Sequence, residues 1–286
     1  MNALMWDTLV DAPTLAQALG RADLRVVDTR FVLADPDQGR EDYARAHVPG
    51  SVYADLNKDL SDLGRSGEGR HPLPQWPLLA AKLGLWGIRP DMQVVVYDAA
   101  EGSMAAARLW WLLRLLGHRA VAVLDGGLAG WCANGLPVTA QRPVIEDVGA
   151  YPAAPDLAAI VDVDEMSARL SDRPGWLLDA RAPERFSGAV EPIDPVAGHV
   201  PGALNRPFTA QLAEGAFKPP AQLRNELAAL LNGRAVQEMV LMCGSGVTAC
   251  HLLLALESAG LHGARIYAGS WSGWIADPAR PVATGC

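Results

Sequence analysis

Met239–Leu254 reads M-V-L-M-C-G-S-G-V-T-A-C-H-L-L-L, an apolar strand-like run, a turn built on Gly244 and Gly246, then an apolar run at helical spacing. A strand that ends in a glycine turn and feeds a helix is the repeating unit of a parallel α/β sheet. Cys243 falls at the strand's C-terminal end, where the first N–H groups of the following helix lack intrahelical partners. The amides of Gly244, Ser245, Gly246, Val247 and Thr248 are therefore expected to converge on its sulfur, as amides do on anions at helix N-termini. Such surroundings favour the thiolate and make the cysteine reactive, whereas one packed among apolar groups is inert. The competing reading is a small core hydrophobe that happens to end a strand. It leaves unexplained two glycines that are costly inside either a strand or a helix.

Outward from this stretch, the chain repeats itself. L-R-V-V-D-T-R, ending at Arg30, answers W-L-L-D-A-R, ending at Arg181. A-H-V-P-G-S, with His47, answers G-H-V-P-G-A, with His199. V-V-V-Y-D, ending at Asp98, answers M-V-L-M-C, ending at Cys243, and L-D-G-G-L-A-G-W, ending at Trp131, answers Y-A-G-S-W-S-G-W, ending at Trp274. Four matches in one order imply two copies of one domain. Short Val/Ile/Leu runs alternating with amphipathic stretches make each copy a mainly parallel sheet flanked by helices. Helices are expected over Ser103–Leu116, ended by Gly117, and over Val247–Ser258, ahead of Gly260. Trp110 and Trp111 read as core filler. Pro137, Pro143, Pro152 and Pro155 mark an extended connection over Leu136–Asp156. The copies are placed at 1–138 and 159–286, with the linker at 139–158. Only the second carries a thiol in a glycine turn; the first has Asp98 there.

The chain has 286 residues, half of them apolar, and a net charge of −8. That leaves room for two ordinary domains and excludes a nucleic-acid backbone or an anionic membrane surface as the main partner. No apolar stretch approaches membrane-spanning length, and the N-terminal residues do not read as an export signal. The expected compartment is the cytoplasm, with Cys132, Cys243, Cys250 and Cys286 reduced. A metal site on Cys243, Cys250 and His251 would lack a second ligand pair at zinc-like spacing, so no metal is expected. A Cys243–Cys250 disulfide is equally unsupported. A cysteine phosphatase needs an arginine six positions after its nucleophile, where this chain has Ala249.

D-A-R-x-x-x-R-F (Asp179–Phe186), G-H-V-P-G-A (Gly198–Ala203), C-G-S-G-V-T-A (Cys243–Ala249) and the G-S-W before Trp274 resemble the two-domain rhodanese and 3-mercaptopyruvate sulfurtransferase family over essentially the whole chain. The loop C-G-S-G-V-T-A is similar to the mercaptopyruvate type; the thiosulfate type carries basic residues after the cysteine. The resemblance implies α/β architecture with two tandem rhodanese-like domains, the C-terminal one catalytic, and a persulfide on Cys243. No metal or organic cofactor is implied. The partners implied are a small anionic sulfur donor and an acceptor: cyanide, a small thiol, or a protein thiol such as thioredoxin. Arg185 matches the family's substrate-binding arginine, whose planar fork suits a carboxylate. The competing reading makes it a surface arginine paired with Glu184 or Glu191. Arg181, Arg30, His47 and His199 occur in both copies and so read as structural.

Ser245 and His71, in G-R-H-P-L-P, match a relay that helps protonate the departing enolate. Its acidic member is expected among Asp55, Asn57 and Asp59, with Asn57 in the aligned position. A second arginine common in mercaptopyruvate members, in an E-P-x-P-R context, is missing from V-E-P-I-D-P-V, which has Asp194 and Pro195 instead, so the carboxylate site is expected to rest on fewer cations. Ala268 replaces an acid before G-S-W, and Met104 replaces a phenolic residue. The alternatives to mercaptopyruvate transfer are thiosulfate transfer and a non-catalytic rhodanese-like binding module.

Overall fold

The computed structural model describes residues 5–99, 102 and 105–285. Ser103, Met104 and Cys286 lie outside the described residues. Contacts divide the chain into two units: 1–62, 73–156 and 213–217 form the first; 63–72, 157–212 and 218–286 form the second.

In the first unit, strands β1 (Leu9–Val10), β2 (Leu24–Asp28), β3 (Val52–Tyr53), β4 (Gln93–Tyr97) and β5 (Val121–Leu124) form a sheet in the order β1-β5-β4-β2-β3. Every pairing is parallel. Helices α1 (Ala12–Ala18), α2 (Gln38–Arg45), α3 (Trp76–Leu85), α4 (Ala105–Leu115) and α5 (Gly127–Ala133) make the crossovers. Val95 and Tyr97 of β4 pack with Leu15 of α1 and Trp131 of α5. Because side chains alternate along a strand, Val94 and Val96 face the other way, toward α4. A sheet covered on both faces explains why β4 is apolar throughout. Trp110 and Trp111 are buried in α4, as expected of core residues.

The second unit repeats this plan. β6 (Ile160–Val161), β7 (Leu177–Asp179), β8 (Leu204–Asn205), β11 (Val240–Met242) and β12 (Arg265–Tyr267) are ordered β6-β12-β11-β7-β8, again all parallel. The helices are α6 (Val163–Ala168), α7 (Pro183–Ser187), α8 (Pro220–Leu231), α9 (Thr248–Ser258) and α10 (Ser270–Trp274). Along the chain a short hairpin, β9 (Leu212–Ala213) with β10 (Ala216–Phe217), interrupts the series, and its residues 213–217 group with the first unit. β11 holds in the second sheet the place of β4 in the first, which puts Cys243 where Asp98 stands.

The proline-rich stretch after α5 has no helix or strand before Leu157. It lies along the first unit through amides: Thr139 with His47, Val148 to the Gly84 carbonyl and Tyr151 to the Ala80 carbonyl. A Cβ on Gly84 would stand 1.9 Å from the Gly149 carbonyl oxygen, so the stretch is pressed against α3.

The shared motifs are structural in both copies. Arg30 is forked onto Asp28 and donates to the Ala46 carbonyl at 2.6 Å. Arg181 is forked onto Asp179 and donates to the Gly198 carbonyl at 2.7 Å. His47 stacks on Tyr43 and His199 on Phe186, each ring hydrogen-bonded to the carbonyl of the residue it stacks on.

Candidate active site

β11 ends at Met242, and the chain turns through Cys243–Val247 before α9 begins at Thr248. Gly246 makes this turn possible. Its φ is +76°, and a Cβ there would sit 2.3 Å from the Ala268 carbonyl oxygen. Only glycine takes that conformation at little cost while allowing so close an approach. Gly246→Ala is accordingly expected to lower stability by about 1–3 kcal/mol and to remove most activity. Urea unfolding and turnover check it, and a variant near wild type in both would show that the loop does not depend on this turn.

Cys243 is 1% exposed. The Gly246 amide donates to its sulfur at 3.2 Å, and the Ser270 hydroxyl lies 4.0 Å away while accepting from the Cys243 amide at 3.1 Å. Here the sequence reading needs correction: of the five loop amides expected on the sulfur, Gly246 alone reaches it. Among the described residues, the N–H groups of Gly244, Ser245, Val247 and Thr248 make no hydrogen bond to the thiol. Ser270, unnoticed in the sequence, holds φ +52° at the start of α10. The signal was the G-S-W motif, read as part of the repeat and of the family resemblance but not as a contact of the thiol.

Residues 63–72 belong to this unit and carry two side chains to the loop. A Cβ on Gly69 would stand 2.4 Å from the Gly269 carbonyl oxygen, and the Arg70 amide donates to Ser272 Oγ at 2.9 Å. These contacts seat the segment on α10 and set His71 and Arg70. His71 Nδ1 lies 2.8 Å from Ser245 Oγ, both residues being buried. The sequence-predicted pair is therefore brought together, two residues past the thiol.

The candidate acids are held in the first unit. Asp55 accepts from the Asn57 and Lys58 amides and pairs with Arg40, while Asp59 accepts from the Asp55 amide and pairs with Lys82.

Arg185, on α7, is 17% exposed and paired. Its Nε donates to Glu191 at 2.9 Å and its Nη2 to Asp194 at 2.8 Å; Glu184 is not a partner. Arg70 Nη1 reaches the other oxygen of Asp194 at 2.5 Å. A methyl added at Gly244 would lie 3.2 Å from Arg70 Nη2 and 3.4 Å from Arg185 Nη1. Arg70 thus stands beside Arg185 next to the nucleophile, a second cation where the sequence pointed to fewer. Its signal was the basic residue directly before His71. Burial pushes the Glu191 carboxyl up, but the Arg185 hydrogen bond and the Asp194 and Ile193 amides outweigh it and hold the group below the usual glutamate range.

Two parallel sheets in one strand order and a cysteine loop at the end of the second copy's central strand define a tandem rhodanese fold. The rhodanese-like domain model matches residues 11–134 and 162–277, and the chain belongs to that family. It is 52% identical over 280 residues to a Pseudomonas aeruginosa protein called "Probable 3-mercaptopyruvate sulfurtransferase", covering 97% of this chain and 98% of that one. It is 33% identical over 299 residues to a thiosulfate sulfurtransferase of Mus musculus, covering 100% and 98%. The solved 3-mercaptopyruvate sulfurtransferase of Leishmania major superposes with a TM-score of 0.81 at 30% identity, over 93% of this chain and 73% of that one.

Proposed function

We propose that this chain is a sulfurtransferase that moves a sulfur atom from 3-mercaptopyruvate, through a persulfide on Cys243, to a thiol or cyanide acceptor, releasing pyruvate. The observation that carries the reading is the 2.8 Å contact between His71 Nδ1 and Ser245 Oγ beside the thiol. A proton relay at this place serves a donor whose leaving group must be protonated. Thiosulfate releases sulfite, which needs no proton.

The step balances as follows. The Cys243 thiolate attacks the donor's thiol sulfur, an S–S bond forms, and the donor's C–S bond breaks. The electron pair stays on carbon as the enolate of pyruvate. Ser245, supplied by His71, delivers the proton to that carbon as a positioned general acid. The persulfide gives up the donor's thiol proton. An acceptor thiolate then attacks the outer sulfur and restores Cys243, as in other two-step covalent mechanisms. The binding residues of this reading are Arg185 and the loop residues Gly244, Gly246, Val247 and Thr248, of which the Gly246 amide already donates to the Cys243 sulfur.

The C-terminal unit carries this chemistry, and the first copy, with Asp98 in the nucleophile's place, is scaffold. A non-catalytic binding module is disfavoured by the thiol and its complete loop. Free Cys132, Cys243 and Cys250 suit a reducing compartment such as the cytoplasm, where thioredoxin-like or small thiols would accept the sulfur. No helix among the described residues is long and apolar enough to cross a membrane.

The relay is tested by donor comparison. His71→Ala and Ser245→Ala are each expected to lower kcat with mercaptopyruvate by about 10²–10⁴-fold. Their turnover of thiosulfate should change several-fold at most. Equal losses with both donors, or full mercaptopyruvate activity in either variant, would remove the relay from the mechanism.

A further inference from the structure

Three guanidiniums and three carboxylates meet beside the cysteine loop: Arg70, Arg181 and Arg185 with Asp179, Glu191 and Asp194. Their formal charges cancel. Asp194 is the hinge of the group, with its side chain 3% exposed and one oxygen given to each of Arg70 and Arg185. Both arginines keep one end unused toward the loop. Among the described residues, Arg70 Nη2 and Arg185 Nη1 make no hydrogen bond, and both lie against Gly244. Arg70 Nε is buried without a partner as well. Two donors thus converge on the residue after the nucleophile, with their charge already compensated from behind.

We infer that Asp194 is a positioning residue that holds Arg70 and Arg185 over the cysteine loop and, by cancelling one of their charges, selects singly charged sulfur donors over doubly charged ones. The inference rests on the proposed transfer from mercaptopyruvate. A carboxylate gains two charge-assisted hydrogen bonds from Nη groups already in place. A dianion gains the same bonds, but a cluster of no net charge offsets neither of its charges, and it loses far more solvation on entry than a monoanion does. Without Asp194 the two guanidiniums would repel each other and present an uncompensated charge.

Donor preference, read as the ratio of kcat/KM for mercaptopyruvate to that for thiosulfate, tests this with wild type, Asp194→Asn, Arg70→Gln and the double variant. Asp194→Asn should lower the ratio about tenfold, with thiosulfate turnover becoming more salt-sensitive. Arg70→Gln should raise the ratio by a similar factor. The double variant, neutral again, should return toward wild type, which a purely structural role for either residue would not produce. If Asp194→Asn does not fold, Arg70→Gln alone carries the test. A ratio that stays unmoved, or variants that shift it in the same direction, would overturn the inference. Persulfide formation by wild type from mercaptopyruvate, read by intact mass, separates the two claims. If it forms and the ratio does not respond, only the charge selection fails; if it never forms, both do.

Discussion

Cys243→Ser is expected to abolish sulfur uptake. After incubation with mercaptopyruvate, intact-protein mass spectrometry should find one added sulfur on the wild-type chain, lost on reduction, and none on the variant. The physical reason is that a serine hydroxyl in the same position is far harder to ionise and cannot form the S–S bond that stores the transferred atom. Losing a covalent nucleophile costs at least about 10⁴-fold in turnover, as much as losing a whole catalytic unit. Cys132, exposed on α5, and Cys250 remain in this variant as internal controls. Cys250 is buried and donates its thiol to the Gly246 carbonyl at 3.3 Å, tied into the loop rather than open to a donor. Sulfur uptake by the Cys243→Ser chain would move the chemistry to another thiol and end the proposed mechanism.

The second large effect falls on stability. Asp179 has no exposure and accepts from the Arg181 Nε, Nη2 and main-chain N–H groups. Arg181 also lies 4.5 Å from the Trp271 ring centroid. Asp179→Ala would leave that guanidinium buried, with Glu191 at 3.5 Å as its remaining carboxylate. Breaking a buried pair from one side costs about 3–5 kcal/mol, because the surviving charge is neither solvated nor paired. The urea midpoint of the second unit should fall accordingly. Since β7, which carries Asp179, pairs with β11, which carries Cys243, activity should fall with it. A change below about 1 kcal/mol would show that Glu191 and Trp271 compensate, and that the conserved pattern between the copies has a cause other than this pair.

Much of this architecture was legible in the chain because it is local. Strand runs, the glycine turn after Cys243 and the repeated D-x-R and H-V-P-G motifs are properties of a few neighbouring residues. Periodicity and turn chemistry register such properties directly. The same locality explains the misses. The five amides around Cys243 were counted along the sequence, but whether an N–H points at a sulfur depends on where the backbone rises before α9. Asp194 and Pro195 together were read as the loss of a cation, whereas Asp194 is shared by Arg70 and Arg185. Those residues are 124 and 9 positions away from it, and no spacing rule connects them.

By itself, then, the sequence determined two copies of a parallel α/β unit and the identity of the thiol, both matters of residue type and short-range spacing, while His71 and Ser245 could be singled out only through the family resemblance. Only the tertiary structure decided that residues 63–72 are seated on α10, so that Arg70 and His71 reach the cysteine loop. It also decided that Arg185 is held between two carboxylates, and that Ser270 rather than a ring of amides stands behind the thiol. The first outcome goes with a close backbone approach, Gly69 against Gly269, beside which Arg70 comes within hydrogen-bonding distance of Asp194, 124 positions away. Electrostatic energy depends on that distance in space, and the order of residues along the chain does not contain it.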